Sequence, residues 1–100
     1  MMVQRRSVQQ ERMLREFGAH IRRWRSVNGL SATALAERAF ITRATLASIE
    51  RGTGSAQLDS VFAVLSALGI LESVVASADP YRSEAARPRI DAIIQSGGTI

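Results

Sequence analysis

Short polar and cationic side chains between residues 42 and 52 form the part of the chain best suited to bind another molecule. If residues 43–51 form a helix, Leu46 and Ile49 lie on one side of it and face inward. The opposite side then carries no long hydrophobe, only Arg43, Ala44, Thr45, Ala47 and Ser48. Such a helix can enter the major groove of DNA, where arginine, serine and alanine contact the edges of the bases.

The residues before this helix predict a second helix and the turn that joins the two. Ser31 and Thr42 are suited to cap the two helices, because a hydroxyl there accepts a hydrogen bond from an amide of the first turn. In the first helix, apolar residues recur at helical spacing: Leu35, Ala36 and Ala39. Gly52 follows the second helix, where a chain leaving a helix commonly adopts a positive φ. Residues 31–52 therefore predict a helix-turn-helix.

Residues 17–70 resemble the helix-turn-helix of phage repressors and Cro proteins, often called the Xre family. The resemblance rests on three pieces in order: FGAHIRRWRSVNGLS, the ending IERG of the motif, and LDSVFAVLSALGI. It implies an all-α fold with a five-helix repressor-like domain, here residues 11–76. A basic N-terminal arm (residues 1–10) precedes this domain, and a C-terminal tail (residues 77–100) follows it.

The resemblance also implies roles for individual residues. Arg43, Ala44 and Ser48 match the positions that read bases in this family. We expect phosphate contacts from nearby hydroxyl and arginine side chains: Ser31, Thr33, Thr42, Thr45, Arg51, Thr53 and Ser55. Two positions depart from the family pattern. Ala32 stands where a phosphate-binding glutamine is usual, and Phe40 stands where the turn more often has glycine.

Arg25 and Glu50 lie on the inward sides of their predicted helices, where either charge would be costly to bury alone. In the resembled family the matching arginine and glutamate pair beneath the motif, so the resemblance implies a structural ion pair. Glu50 has no second acid or base beside it that would favour proton-transfer chemistry. We therefore interpret both residues as structural.

Composition excludes several other classes of function. The 100 residues fit one small domain, and 46% hydrophobic residues suffice for a modest core. Cysteine is absent, and the single histidine, His20, cannot hold a metal alone. Paired carboxylates, a Ser/His/Asp set and a phosphate-binding loop are also missing, so we expect no enzyme, no cofactor and no metal. No signal peptide or membrane-spanning run is present, and we expect a cytoplasmic protein without a membrane partner.

Positive charge is concentrated in the half that contains the motif, as binding to double-stranded DNA requires. Residues 1–55 carry ten arginines against four acidic residues, a net +6. Residues 56–100 carry three against five, a net −2. Arg22 and Arg23 are expected at the surface, with phosphate contact as an alternative. Residues 1–10 form either an arm that reaches DNA or a solvated extension of the first helix.

The segment after the motif carries more apolar surface than one small core can use, which favours self-association. Repressors of the resembled type bind paired half-sites, so we expect a two-fold homodimer. Four residues are expected at the dimer interface, here called the seam: Phe62, Val64, Leu71 and Val74. The alternative is that these side chains only complete the fifth helix of the monomer.

In the C-terminal tail the helical pattern is interrupted twice, because Asp79-Pro80 starts a turn and Pro88 disfavours a continuous helix. It is either disordered or a partner-binding segment, with apolar anchors at Tyr81, Ile90, Ile93 and Ile94. The stretch SADPYRSEAARPRIDAI resembles the tails of small antitoxins that accompany Hip-type kinase toxins. Two interpretations follow: an autorepressor that is also an antitoxin, or a stand-alone phage or host regulator without a toxin.

Overall fold

A computed structural model describes residues 5–100, and this part of the chain is all-helical. The helices are α1 (Val8–Val27), α2 (Ala32–Arg38), α3 (Arg43–Arg51), α4 (Leu58–Leu68), α5 (Leu71–Ser77) and α6 (Arg87–Gln95). A 3₁₀ turn (Pro80–Arg82) lies between α5 and α6. Within the described range, no helix is long and apolar enough to cross a lipid bilayer.

The helix boundaries follow from the capping residues. Ser31 Oγ accepts a hydrogen bond from the Ala34 amide at 3.0 Å, and Thr42 Oγ1 accepts one from the Thr45 amide at 3.1 Å. Both predicted caps are confirmed. Ser7 caps α1 in the same way, so residues 8–10 extend the first helix and do not belong to an arm. Residues 1–4 of the predicted arm lie outside the described residues.

One core joins α1 to α4, and partly buried residues of α5 pack against it. Its buried residues are Ile21, Leu35, Ala36, Ala39, Leu46, Ile49, Val64, Leu65 and Leu68. Val64 is 0% exposed, which corrects its assignment to a dimer seam, since it is already enclosed within one chain. Helix α4 is apolar around most of its circumference, so periodicity alone could not separate its core face from its outer face.

Two glycines let α1 approach the backbone of α3 and the residue that follows it. A Cβ at Gly18 would lie 2.5 Å from the carbonyl oxygen of Glu50 and 2.6 Å from that of Ile49. Gly52 has φ +72°, and a Cβ there would lie 2.5 Å from the Cα of Arg15. Helix α1 therefore packs closely against the C-terminal end of α3, at residues 49–52.

The turn between α2 and α3 contains Phe40, whose φ is +56°. It is the only non-glycine residue with positive φ in residues 5–100. The left-handed conformation costs an L-residue about 1–2 kcal/mol, which explains why glycine suits this position better. The ring is 96% exposed, so packing of the side chain does not offset the strain.

The C-terminal tail contains the 3₁₀ turn and α6, so of its two alternatives the structure disagrees with the disordered one. Asp79 Oδ1 accepts a hydrogen bond from the Tyr81 amide at 2.9 Å, and α6 packs against the 3₁₀ turn. Ile90 is only 6% exposed, so it cannot serve as an exposed anchor for a partner as predicted. The radius of gyration is 17.1 Å, against about 13 Å for a compact domain of this length. The described residues are thus less compact than a typical globular domain of this length.

Candidate nucleic-acid interface

Helix α3 presents one continuous outer arc, while Leu46 and Ile49 are buried on its other side. At 3.6 residues per turn, the arc covers about 140° of the helix circumference. Its members, in order around the helix, are Arg43, Ala47, Arg51, Ala44 and Ser48. The arc combines two cations with three small side chains, so a nucleic-acid backbone or base edge can approach the helix closely.

Ala47 lies near the middle of this outer arc, with Arg43 one turn before it and Arg51 one turn after it. The sequence pattern places Ala47 outward but assigns it no contact. Its small side chain leaves the surface open between the two arginines. Ala47 is therefore a candidate contact position that motif matching missed.

A cleft of about 300 Å³ lies beside the arc, between α1, α2 and α3. Three exposed arginines border it: Arg22, Arg43 and Arg51. Ala32, which replaces the glutamine usual in the resembled family, forms part of its wall. The carboxylate of Glu50 also lines the cleft, 3.9 Å from Arg22 Nε and paired with Arg25, so Arg43 and Arg51 carry the positive charge that it leaves unpaired.

The N-terminal end of α3 brings together two of the predicted phosphate contacts. Thr42 Oγ1 donates to Thr45 Oγ1 at 2.9 Å, in addition to capping the helix. Ser31 is an exposed cap of α2, and Thr33 is exposed in the first turn of α2. These hydroxyl groups thus lie in the first turns of α2 and α3 or at their N-caps.

The C-terminal end of α3 carries a second group of hydroxyls, which we call the hydroxyl cluster (Ser48, Thr53 and Ser55). Ser55 Oγ lies 2.9 Å from both Ser48 Oγ and Thr53 Oγ1. Ser48 Oγ and Thr53 Oγ1 also form a short hydrogen bond. The structure thus brings the expected base contact Ser48 together with two expected phosphate contacts, and directs its hydroxyl towards them.

Arg25 and Glu50 form a bidentate ion pair beneath α3. Arg25 Nε donates to Glu50 Oε2 at 2.7 Å, and Nη2 donates to Oε1 at 3.0 Å. Arg25 Nη1 also donates to the carbonyl oxygen of Leu30 at 3.3 Å. The hydrogen bond to Glu50 raises the pKa of Arg25 above its usual value, although burial acts in the opposite direction. The pair fixes α3 to α1 and to the start of the motif.

The predicted seam residues do not form one surface. Phe62 is partly exposed, and it lines an apolar groove of about 400 Å³ together with Val74. Leu71 does not line this groove, and Val64 is buried in the core. In the tail, Tyr81, Ile93 and Ile94 are exposed as expected of anchors.

Comparison with known proteins supports the motif. A family model described as a helix-turn-helix domain matches residues 16–78. No curated protein and no solved structure was found to match the chain. The matched segment begins within α1 and ends directly after α5, so it includes every residue of the buried core and omits the 3₁₀ turn and α6.

Proposed function

The chain belongs to the helix-turn-helix domain family, and we propose that it is a sequence-specific DNA-binding repressor of the Xre/Cro type. One observation carries the proposal: the outer arc of α3 combines two arginines with small side chains beside them, and α3 is held to α1 by the Arg25–Glu50 pair. A helix with these properties fits the major groove of DNA. The +6 net charge of residues 1–55 adds attraction to phosphates.

Three residues are proposed to read bases. Arg43 donates two hydrogen bonds to a guanine, and Ala44 contacts a thymine methyl group. Ser48 serves as donor or acceptor to a base once its hydroxyl turns away from the hydroxyl cluster. Arg43 stands at the first turn of α3, where the recognition helix of this motif contacts base edges.

Phosphates on the two sides of the groove are proposed to bind at the two ends of α3. Ser31, Thr33, Thr42 and Thr45 belong to the first side, and Arg51, Thr53 and Ser55 belong to the second. Arg22 joins them, because it borders the same cleft as Arg51 and Arg43. These contacts set the position of the helix in the groove and carry no base preference.

A bulky residue at the centre of the outer arc tests this docking. Ala47→Leu should weaken binding to a fluorescent duplex by about tenfold or more in an anisotropy titration, because the larger side chain would separate the helix from the groove. Ala92→Leu, at an exposed position of α6, is the matched control and should bind like the wild type. Equal affinities for all three proteins would show that DNA does not contact this arc.

Dimerisation is proposed because two-fold operators match two-fold repressors. Phe62 and Val74, which line the same groove, are the proposed interface residues; Leu71 stays a separate candidate, and Phe62 is the most exposed of the three. Phe62→Glu should therefore sediment as a monomer, whereas Val27→Glu, at an exposed position of α1, should sediment as a dimer. A wild-type protein that sediments as a monomer at micromolar concentration would contradict this proposal.

An antitoxin role is a second proposal, in which the repressor also binds a kinase-like toxin encoded beside it. It is supported by the tail, whose Tyr81, Ile93 and Ile94 are exposed and lie outside the matched helix-turn-helix segment. Replacing Ile93 and Ile94 with Asp should abolish capture of the neighbouring gene product and leave DNA binding unchanged. Loss of DNA binding with capture intact would reverse this assignment, and no capture by the wild type would favour a stand-alone regulator.

A further inference from the structure

Arg6 contacts the loop at the C-terminal end of α3, although the two are far apart in sequence. Its Nη1 donates to the carbonyl oxygen of Thr53 at 3.0 Å, across 47 residues. The guanidinium also lies against Gly54, since a Cβ added there would be 2.9 Å from Arg6 Nη2. The residues just before α1 and the loop of residues 53–55 therefore form one surface.

The hydroxyl cluster on this loop has limited capacity to bind an anion by itself. Ser48, Thr53 and Ser55 hydrogen-bond one another, and Thr53 Oγ1 also contacts the carbonyl oxygen of Ser48 at 3.3 Å. Their hydroxyl protons are thus engaged within the chain. A nearby cation supplies the attraction that these neutral groups lack, because charge-assisted hydrogen bonds are about twice as strong as neutral ones.

We propose that Arg6 is a DNA-contacting residue that binds the backbone phosphate beside the hydroxyl cluster. A guanidinium has five N–H donors, and the Thr53 carbonyl accepts from only one of its nitrogens. The contact with Thr53 orients the planar group, and the other edge of the guanidinium binds phosphate oxygens in pairs. Arg6 lies outside residues 16–78, so membership of the family assigns it no role.

This inference rests on the proposed function, and the salt dependence of DNA binding tests it separately. Each phosphate contact contributes about 0.9 to the slope of log affinity against log salt concentration. With the full chain and one duplex, Arg6→Gln should reduce the slope by about that amount. Arg6→Lys should keep the wild-type slope, because it retains the charge. Arg89→Gln, which removes one exposed charge from α6, should also keep it.

The variants distinguish a phosphate contact from a structural role. Loss of the contact with Thr53 by itself removes no phosphate contact, so a residue that only positions the loop would show the wild-type slope in Arg6→Gln. If the wild-type protein binds DNA, a wild-type slope in Arg6→Gln would overturn the inference. An equal reduction of the slope in Arg89→Gln would overturn it too. A wild-type protein that binds no duplex would instead contradict the proposed function, and this inference with it.

Discussion

Glu50 binds Arg25 through both carboxylate oxygens, at 2.7 and 3.0 Å, with side chains only 8% and 18% exposed. The backbone carbonyl of Glu50 lies against Gly18, another residue of α1. One residue of α3 thus meets α1 with its side chain and its backbone. Glu50 lies two turns after Arg43 and borders the same cleft, so its contacts with α1 fix the edge of α3 that carries Arg43.

Glu50→Ala should reduce the free energy of unfolding by about 3–5 kcal/mol, because it leaves the Arg25 guanidinium buried without its partner. Urea denaturation followed by circular dichroism measures this. Exchanging the two residues should recover only part of the loss. Because the pKa of Arg25 is raised in the folded protein, its ion pair stabilises the fold fully at any pH below the pKa of arginine in the unfolded chain. The free energy of unfolding should therefore keep this contribution throughout the neutral pH range. A loss under about 1 kcal/mol would show an exposed pair.

Gly18→Ala should destabilise the fold by about 3 kcal/mol or more, since the added methyl group would meet two backbone carbonyls that cannot move independently. The control is Gly69→Ala, where the space is open and only the φ of +79° is unfavourable. That variant should lose about 1–2 kcal/mol. Equal losses at the two positions would mean that α1 and α3 are not in such close contact.

Phe40→Gly should stabilise the protein by up to about 1 kcal/mol, the relief of left-handed strain less the entropy of the glycine in the unfolded chain. Thermal unfolding gives the comparison. Phe40→Ala removes the same exposed ring but keeps the strained φ, so it should have little effect. Stabilisation of equal size in the alanine variant would assign the effect to the ring instead.

Local patterns are enough to predict the motif from the sequence. Hydroxyl caps at Ser31 and Thr42 and the inward spacing of Leu46 and Ile49 depend on residues a few positions apart. The all-α class is what the family resemblance implies, and the described residues confirm it. Periodicity places Arg25 and Glu50 only on the inward faces of their helices. Their pairing, which the structure shows, is expected from the family resemblance.

Local sequence patterns do not predict features that depend on tertiary packing. The sequence favours an outward Val64 because α4 is apolar on most sides, and only the packed structure shows which side is enclosed. Ile90 is buried where α6 packs against the 3₁₀ turn, a contact without a sequence period. The hydrogen bond from Arg6 to Thr53 joins residues 47 positions apart, and no local pattern relates them.

Arg43 and Arg51 should differ in the kind of binding that they supply. Arg43→Ala should lose about 1–3 kcal/mol on the preferred site and relax the preference at one base pair of each half-site. Arg51→Ala should weaken binding to every sequence similarly and reduce the salt slope by about 0.9. Titrations on a panel of single-base variants of the site separate the two. If both variants lose the same affinity for every sequence, Arg43 does not contact a base.

Selection of bound fragments from a random pool of duplex DNA tests the central claim, sequence-specific binding through α3, most directly. The wild-type protein should enrich an inverted repeat whose half-site centres lie about 34 Å apart, one helical turn, or a multiple of that spacing. Arg43→Ala should enrich the same repeat with the preference lost at one position of each half. A folded, helical wild-type protein that enriches no sequence over the starting pool would contradict the account.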